Sequence, residues 1–160
     1  PKHGGLISFG MVLIDGNDLS KRFRSPNMKS SCSKYKQGAY ESIGITREEH
    51  ESYTATLSDG ITAMEQWLNS LNIDRKVMIS DNPAFDFMWI ASECYNHLGY
   101  NPFGHSARRI GDVWAGYTLK PNSHTQWKKF RKTKHTHYPL DDALGNAEAW
   151  LTILKKIRTA

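Results

Sequence analysis

The chain has 160 residues, of which 39% are hydrophobic and 11% aromatic. This size and composition predict one folded domain spanning residues 1–160 and exclude an intrinsically disordered chain. No apolar run reaches the ~20 residues that cross a bilayer, which excludes a membrane-spanning helix. Cys32 and Cys94 lack a CxxC spacing, so we expect a reduced cytoplasmic compartment, with Cys94 in the core.

Positive charge is concentrated in one part of the chain. The formal net charge is +5, and five basic residues fall within seven positions: Lys128, Lys129, Arg131, Lys132 and Lys134. Such a run predicts a surface that contacts phosphates, although an ordinary solvated basic face explains it equally well. Trp127 lies in this run, where its ring could stack on a base.

The first half of the chain predicts a hairpin. The apolar and branched segment 6–14 ends at the turn residues 15–18, and 19–23 is its expected antiparallel partner. The stretch 25–40 is rich in Ser, Lys and Gly, which predicts irregular structure.

Helices alternate with strands from residue 46 onward. Thr46 to Glu49 has capping-box spacing, and the apolar residues of 59–71 share one helical stripe. A buried strand is expected over 76–80, followed by a helix over 85–98 that stops at Gly99.

The last third predicts a loop-rich segment and a long helix. We expect a short helix over 110–117 and a final helix over 141–157. The stripe of that final helix comprises Leu140, Leu144, Ala147, Leu151 and Leu154. This order of elements indicates an α/β fold with a mixed sheet flanked by helices.

Two acidic segments contain the candidate catalytic residues. Asp86 follows Asn82-Pro83-Ala84-Phe85, and Asp142 lies five residues after His137. Carboxylates suit hard ions such as Mg²⁺, which neutralise charge in phosphodiester cleavage. A histidine with a pKa near ~6.5 can accept the proton of an attacking water.

Each candidate also has a structural explanation. Asp141 or Asp142 could cap the last helix, and two adjacent aspartates would let one cap while the other binds metal. Asp86 could complement the dipole of its helix, and His137 could be an ordinary loop histidine. His135 and His137 could also bind zinc, but no third ligand follows at a recognisable spacing.

Both segments resemble motifs of one enzyme family. Asn82 to Asp86 resembles the second motif of the DEDDh 3′–5′ exonucleases, and His137-x-x-x-x-Asp142 resembles their third. The tracts 106–112, 132–137 and 142–149 are similar to an exoribonuclease-like branch of that family from bacteria and phages. The similarity covers nearly the whole chain.

The resemblance implies a ribonuclease-H-like fold and a magnesium- or manganese-dependent exonuclease with two metal ions. Such an enzyme releases nucleoside 5′-monophosphates from the 3′ end of single-stranded RNA or short oligonucleotides. Asp86 and Asp142 are then metal ligands and His137 the general base. The implied substrate contacts are Asn82, Phe85, Arg108, Lys134 and His135. Relatives that pair up imply a homodimer.

One family motif has no counterpart here. The family has Asp-x-Glu on its first strand, whereas here only Pro1-Lys2-His3-Gly4-Gly5 precedes Leu6, and Leu6 to Val12 resembles the second strand of the family's opening hairpin. We therefore expect these two acids upstream of Pro1. The alternative is a catalytically incomplete nuclease fold that binds nucleic acid.

Overall fold

In the computed structural model, which describes residues 6–30 and 37–159, helices surround two short pairs of strands. The strands are β1 (Gly10–Val12), β2 (Arg22–Arg24), β3 (Met78–Ser80) and β4 (Ala107–Arg109). The helices are α1 (Gln37–Ile43), α2 (Arg47–Ser52), α3 (Leu57–Ser70), α4 (Pro83–Leu98), α5 (Ile110–Thr118) and α6 (Pro139–Arg158). Two 3₁₀ helices, Pro121–Ser123 and Gln126–Phe130, lie between α5 and α6. None of the described helices is long and apolar enough to cross a bilayer.

The strands confirm the expected α/β class and are compatible with a ribonuclease-H-like fold. β1 pairs antiparallel with β2, with Gly10 opposite Arg24, so the predicted hairpin is present with shorter strands. β3 pairs in parallel with β4, which the sequence did not predict. Within the described residues the four strands form two separate pairs instead of one sheet.

Local signals located most helices. The Thr46 side chain accepts a hydrogen bond from the Glu49 backbone and starts α2, while the complete capping box lies at Thr56 and Asp59, before α3. α4 ends at Gly99, whose φ of +79° favours glycine. α1 overlaps the stretch predicted to be irregular; residues 31–36, including Cys32, lie outside the described ranges.

Two clusters of buried side chains form the core. The first comprises Phe9, Met28, Ile61, Met64, Leu68, Ile90 and Cys94. Burial raises the pKa of the Cys94 thiol to about 12, which makes it an inert core residue, as predicted. The second cluster comprises Ile110, Trp114, Trp127, Ala149, Trp150 and Ile153.

The expected stacking role of Trp127 is wrong. Its side chain is 0% exposed, and it packs in the second cluster. The short helix Gln126–Phe130 turns the indole inward while Lys128 and Lys129 stay exposed. Position within a basic run therefore did not predict which side chain faces solvent.

The buried face of α6 also differs from the predicted leucine stripe. Its buried residues are Gly145, Ala147, Ala149, Trp150 and Ile153. The leucines of the predicted stripe are only partly buried. Gly145 is buried where the backbone of Thr133 approaches α6, and the backbone at the start of the helix is equally close to β1. A Cβ atom at Gly10 would lie 2.6 Å from both the carbonyl carbon and the carbonyl oxygen of Pro139.

We predict that Gly10→Ala lowers the free energy of unfolding by about 1–3 kcal/mol, because β1 and α6 must separate. Urea denaturation measures this change. Gly116→Ala is the matched control: Gly116 is exposed in α5, and a Cβ there has no neighbour within 4 Å. We expect the control to stay within about 1 kcal/mol of the parent, on the stabilising side. Equal destabilisation by both changes would contradict the assigned close contact.

Candidate active site

A single large cavity contains the candidate catalytic residues. It has a volume of about 1730 Å³ and lies between β1, β3 and α6. Asp86, His137 and Asp142 all line it, although the first is more than fifty positions before the other two. The fold therefore brings the two acidic segments to one cleft.

Asp86 is a partly buried carboxyl group without a cationic partner among the described residues. It lies in the first turn of α4, where Pro83 occupies a starting position and the Asp86 backbone N–H donates to the Asn82 carbonyl. Burial raises the pKa of Asp86, and the neighbouring charge of Asp81 adds to the rise. The Ser80 hydroxyl opposes this rise in the pKa of Asp86, although it makes no hydrogen bond of ordinary distance and angle within the described residues. A carboxyl group in this environment is suited to a bound cation.

Asp142 has a different environment, because two side chains contact the same oxygen. Arg131 approaches Oδ1 at 3.3 Å, and His135 Nδ1 lies 2.6 Å from it. The Arg131 side chain is only 9% exposed. Asp142 is therefore charge-compensated by its own chain, whereas Asp86 is not.

The predicted capping role of Asp141 or Asp142 is wrong. α6 begins two residues earlier than expected, with Tyr138 as the N-cap residue and no side-chain cap bond. Asp141 instead accepts a hydrogen bond from the Thr136 hydroxyl at 2.8 Å. Because Pro139 starts the helix, both aspartates lie inside its first turn.

The segment 131–138, which we call the histidine loop, is fixed to the side of α6 by Glu148. The Glu148 carboxylate accepts hydrogen bonds from the backbone N–H groups of Lys132 (2.9 Å) and Thr133 (2.7 Å). It also accepts one from the Thr133 hydroxyl at 3.1 Å. Gly145 makes room for the loop, since a Cβ there would lie 2.5 Å from Arg131 Nε and 2.8 Å from the Thr133 carbonyl.

The loop places two histidines side by side, and the second of them, His137, lines the cleft. His137 has a φ of +62°, an uncommon left-handed conformation for a residue other than glycine. The ring centroids of His135 and His137 are 4.2 Å apart. One ligand atom from each of His135, His137 and Asp142 lies within 4.8 Å of the others.

The expected substrate-contacting residues divide into groups. Phe85 is 58% exposed, lines the cavity and meets the Trp89 ring edge-on. Asn82 is the exposed N-cap residue of α4, and Lys134 is exposed on the histidine loop beside His135. Asn82, Lys134 and His135 are not among the described residues that line the cavity.

Arg108 is not among the described residues that line the cleft. It borders a separate pocket of about 290 Å³ together with Asp74 and Lys76, which precede β3. Asp86 and Ser80, in contrast, lie at the carboxyl end of β3. The fold therefore does not bring Arg108 to the other candidate residues.

Sequence reasoning missed several residues that support the site. Lys128 forms an ion pair with Asp81 at 2.8 Å, and Arg109 donates to the Asp81 carbonyl at 3.1 Å. Arg131 and Glu148 anchor the histidine loop as described above. Two members of the basic run, Lys128 and Arg131, thus contact the two acidic segments instead of standing free on the surface. In the sequence these residues are marked only by their charge, because the two partners of each contact are many positions apart in the chain.

Comparison with known proteins gives one informative similarity. No protein-family model matches the chain. Over 132 residues, 81% of this chain and 67% of the relative, it is 25% identical to a protein of Escherichia coli named 3′–5′ DNA exonuclease Cap18.

We predict that Glu148→Ala destabilises the protein by about 2 kcal/mol, because two backbone N–H groups lose a charged acceptor. Amide hydrogen exchange should accelerate at Lys132 and Thr133. Glu51→Ala is the matched control, since Glu51 forms an exposed pair with Arg47 one helical turn away. Its effect should stay below about 0.5 kcal/mol. Unchanged exchange at Lys132 and Thr133 would show that Glu148 does not hold the loop.

The raised pKa of Asp86 predicts a pH-dependent stability. Its proton binds more tightly in the folded state, so this contribution is fully present below the unfolded pKa of ~3.9 and is lost as pH rises through the folded pKa. With divalent ions chelated, Asp86→Asn should therefore raise Tm at neutral pH, and the difference should vanish in acid.

Asp59→Asn should show the opposite sign in the same experiment. The Thr56 backbone and hydroxyl lower the pKa of Asp59, so its stabilisation is present above the unfolded pKa and is lost as pH falls. A lower Tm for Asp86→Asn at neutral pH would refute the assigned desolvation.

Proposed function

We propose that the protein is a 3′–5′ exonuclease that hydrolyses single-stranded nucleic acid to nucleoside 5′-monophosphates. The observation that carries the proposal is the shared cleft of Asp86, His137 and Asp142. Similarity to a protein named a 3′–5′ DNA exonuclease supports the same reaction.

In this proposal His137 is the general base. Its ring is exposed at the cleft, where it can take the proton of a water that attacks the terminal phosphodiester bond. Phe85 lies at the same cleft with an exposed ring, which suits stacking on the terminal base. Asn82, Lys134 and His135 are the nearest candidates for backbone contacts, and Arg108 would meet only a longer strand.

Asp86 and Asp142 would hold Mg²⁺ or Mn²⁺. Bound ions of this kind activate water and neutralise charge on the phosphate. The donor set fits in part: Asp86 lacks a cationic partner, and Asn146 Oδ1 at the cavity is buried without a hydrogen-bond partner among the described residues. Two carboxylates alone leave the charge of two divalent ions largely uncompensated.

The separation of the four described strands into two pairs supports a proposal for where the missing carboxylates come from. β1 and β3 each have one edge without a strand partner among the described residues, and residues of both strands line the cavity. A strand of 5–6 residues is ~18 Å long, ~4.8 Å wide and ~10 Å deep, and it therefore occupies roughly 900 Å³. The cavity of about 1730 Å³ can accept it. We propose that the Asp-x-Glu motif lies on such a strand, encoded upstream of Pro1.

The assay uses RNA and DNA of the same sequence, both single-stranded and labelled at the 5′ end, with Mg²⁺ and a chain that includes the proposed upstream strand. We expect stepwise shortening from the 3′ end. The resemblance to an exoribonuclease-like branch favours RNA as the preferred substrate, while the relative's name favours DNA, so the ratio of the two rates decides between them.

His137→Asn should slow cleavage by about 10²–10⁴-fold, the usual contribution of a general base. Asparagine tolerates the left-handed backbone at this position, so the fold should persist. His105→Asn is the control: His105 is exposed and precedes β4, at the end of the strand pair away from Asp86. Equal rates for the parent and His137→Asn would refute the proposed role. Binding without shortening would instead favour the nucleic-acid-binding module.

A further inference from the structure

We propose that His135, His137 and Asp142 form a binding site for one divalent transition-metal ion such as Zn²⁺. The three residues occupy positions i, i+2 and i+7, a spacing that the sequence alone did not identify as a ligand set. In the folded chain their ligand atoms lie within 4.8 Å of one another. The structure thus supplies the third ligand that the His-x-His pair lacked.

The chemistry of the donors favours a transition metal over magnesium. Two imidazole nitrogens and one carboxylate oxygen suit Zn²⁺, Co²⁺ or Ni²⁺, whereas Mg²⁺ prefers oxygen ligands alone. Three ligands at ~2.1 Å from a tetrahedral ion lie roughly 3.4 Å apart. The present ligand atoms lie within 4.8 Å of one another, so a small closure of side chains brings them to this spacing.

The scaffold already holds the two histidines near their required places. Glu148 fixes the start of the histidine loop, and the bond between Thr136 and Asp141 fixes its end to α6. The left-handed turn at His137 keeps its ring beside that of His135. Little chain entropy remains to be lost when an ion binds.

Two contacts change when the ion binds. His135 Nδ1 lies 2.6 Å from Asp142 Oδ1, and this contact must open or pass to the other carboxylate oxygen. Arg131 is also 3.3 Å from Oδ1, so its charge opposes a cation on that side. All side-chain contacts found for Asp142 in the described part of the chain use Oδ1, which leaves Oδ2 to the metal.

The functional consequence rests on the proposed exonuclease activity. A nitrogen that ligates a metal has no lone pair for a proton, so an ion at this site removes His137 from general-base catalysis. Zn²⁺ should therefore inhibit Mg²⁺-dependent cleavage, and the site would act as an inhibitory one.

Binding is tested without reference to activity. Chelator-treated, tag-free protein is titrated with Co²⁺, and the visible absorption of a low-coordinate Co²⁺ complex is followed; Zn²⁺ should displace it. We expect one equivalent to bind. His135→Ala, His137→Asn and Asp142→Asn should each weaken binding at least about tenfold, while His105→Ala should not. Circular dichroism confirms that each variant is folded.

The cleavage assay gives a second readout. Each variant's rate is measured against zinc concentration and normalised to its own rate without zinc, so a lower basal rate does not matter. His135→Ala should raise the half-inhibitory zinc concentration at least about tenfold, and His105→Ala should leave it unchanged.

The outcomes separate the two proposals. Co²⁺ binding that depends on all three residues supports the site even if the chain never cleaves nucleic acid. Binding that is unchanged in His135→Ala and Asp142→Asn, or weakened equally in His105→Ala, overturns the site even if cleavage is observed.

Discussion

The attachment of the histidine loop to α6 is the constraint on which the candidate site depends. One carboxylate, Glu148, accepts three hydrogen bonds from Lys132 and Thr133, and Gly145 leaves the space in which the loop lies. α6 itself is pressed against β1 at Gly10. The helix therefore fixes both Asp142 and the two histidines relative to the sheet edge. Loosening this attachment would move the proposed base and a proposed metal ligand together.

The two cleft carboxylates are electrostatically unlike. Asp142 is compensated by Arg131 and contacts His135, whereas burial raises the pKa of Asp86, which has no cation beside it among the described residues. The unfavourable burial of Asp86 is the kind of local instability that a binding site retains, because the bound cation relieves it. Asp142, in contrast, must exchange a protein contact for a metal contact. In the proposed metal site, Asp86 would therefore attract a cation more strongly than Asp142.

Much of the fold could be predicted because its signals are local. The hairpin turn at 15–18, the Thr46 cap and the Gly99 stop each depend on a few adjacent residues, and each is present. Residues whose environment depends on distant chain segments were not predicted. β4 forms only because Ala107 to Arg109 lie beside β3, and Trp127 is buried only because Trp114 and Trp150 pack around it. The buried face of α6 differs from the predicted stripe for the same reason, since the residues it buries face distant segments, as Gly145 faces Thr133 and as Trp150 and Ile153 face the second cluster.

The same division applies to the site. Asp86, His137 and Asp142 were predicted from short motifs because each lies where a helix begins, and there a few residues determine both the chain direction and the side-chain exposure. Glu148 and Arg131 contact residues 11 to 16 positions away, and Lys128 and Asp81 are still farther apart in the chain. No short motif therefore contains both partners of any of these contacts. The apolar side chains of α6 extend this argument. Trp150, Leu151 and Leu154 face the same large cavity as the free edges of β1 and β3. Since protein interiors are close-packed, the size of this opening and its apolar wall support the proposed further strand, which would pack on α6.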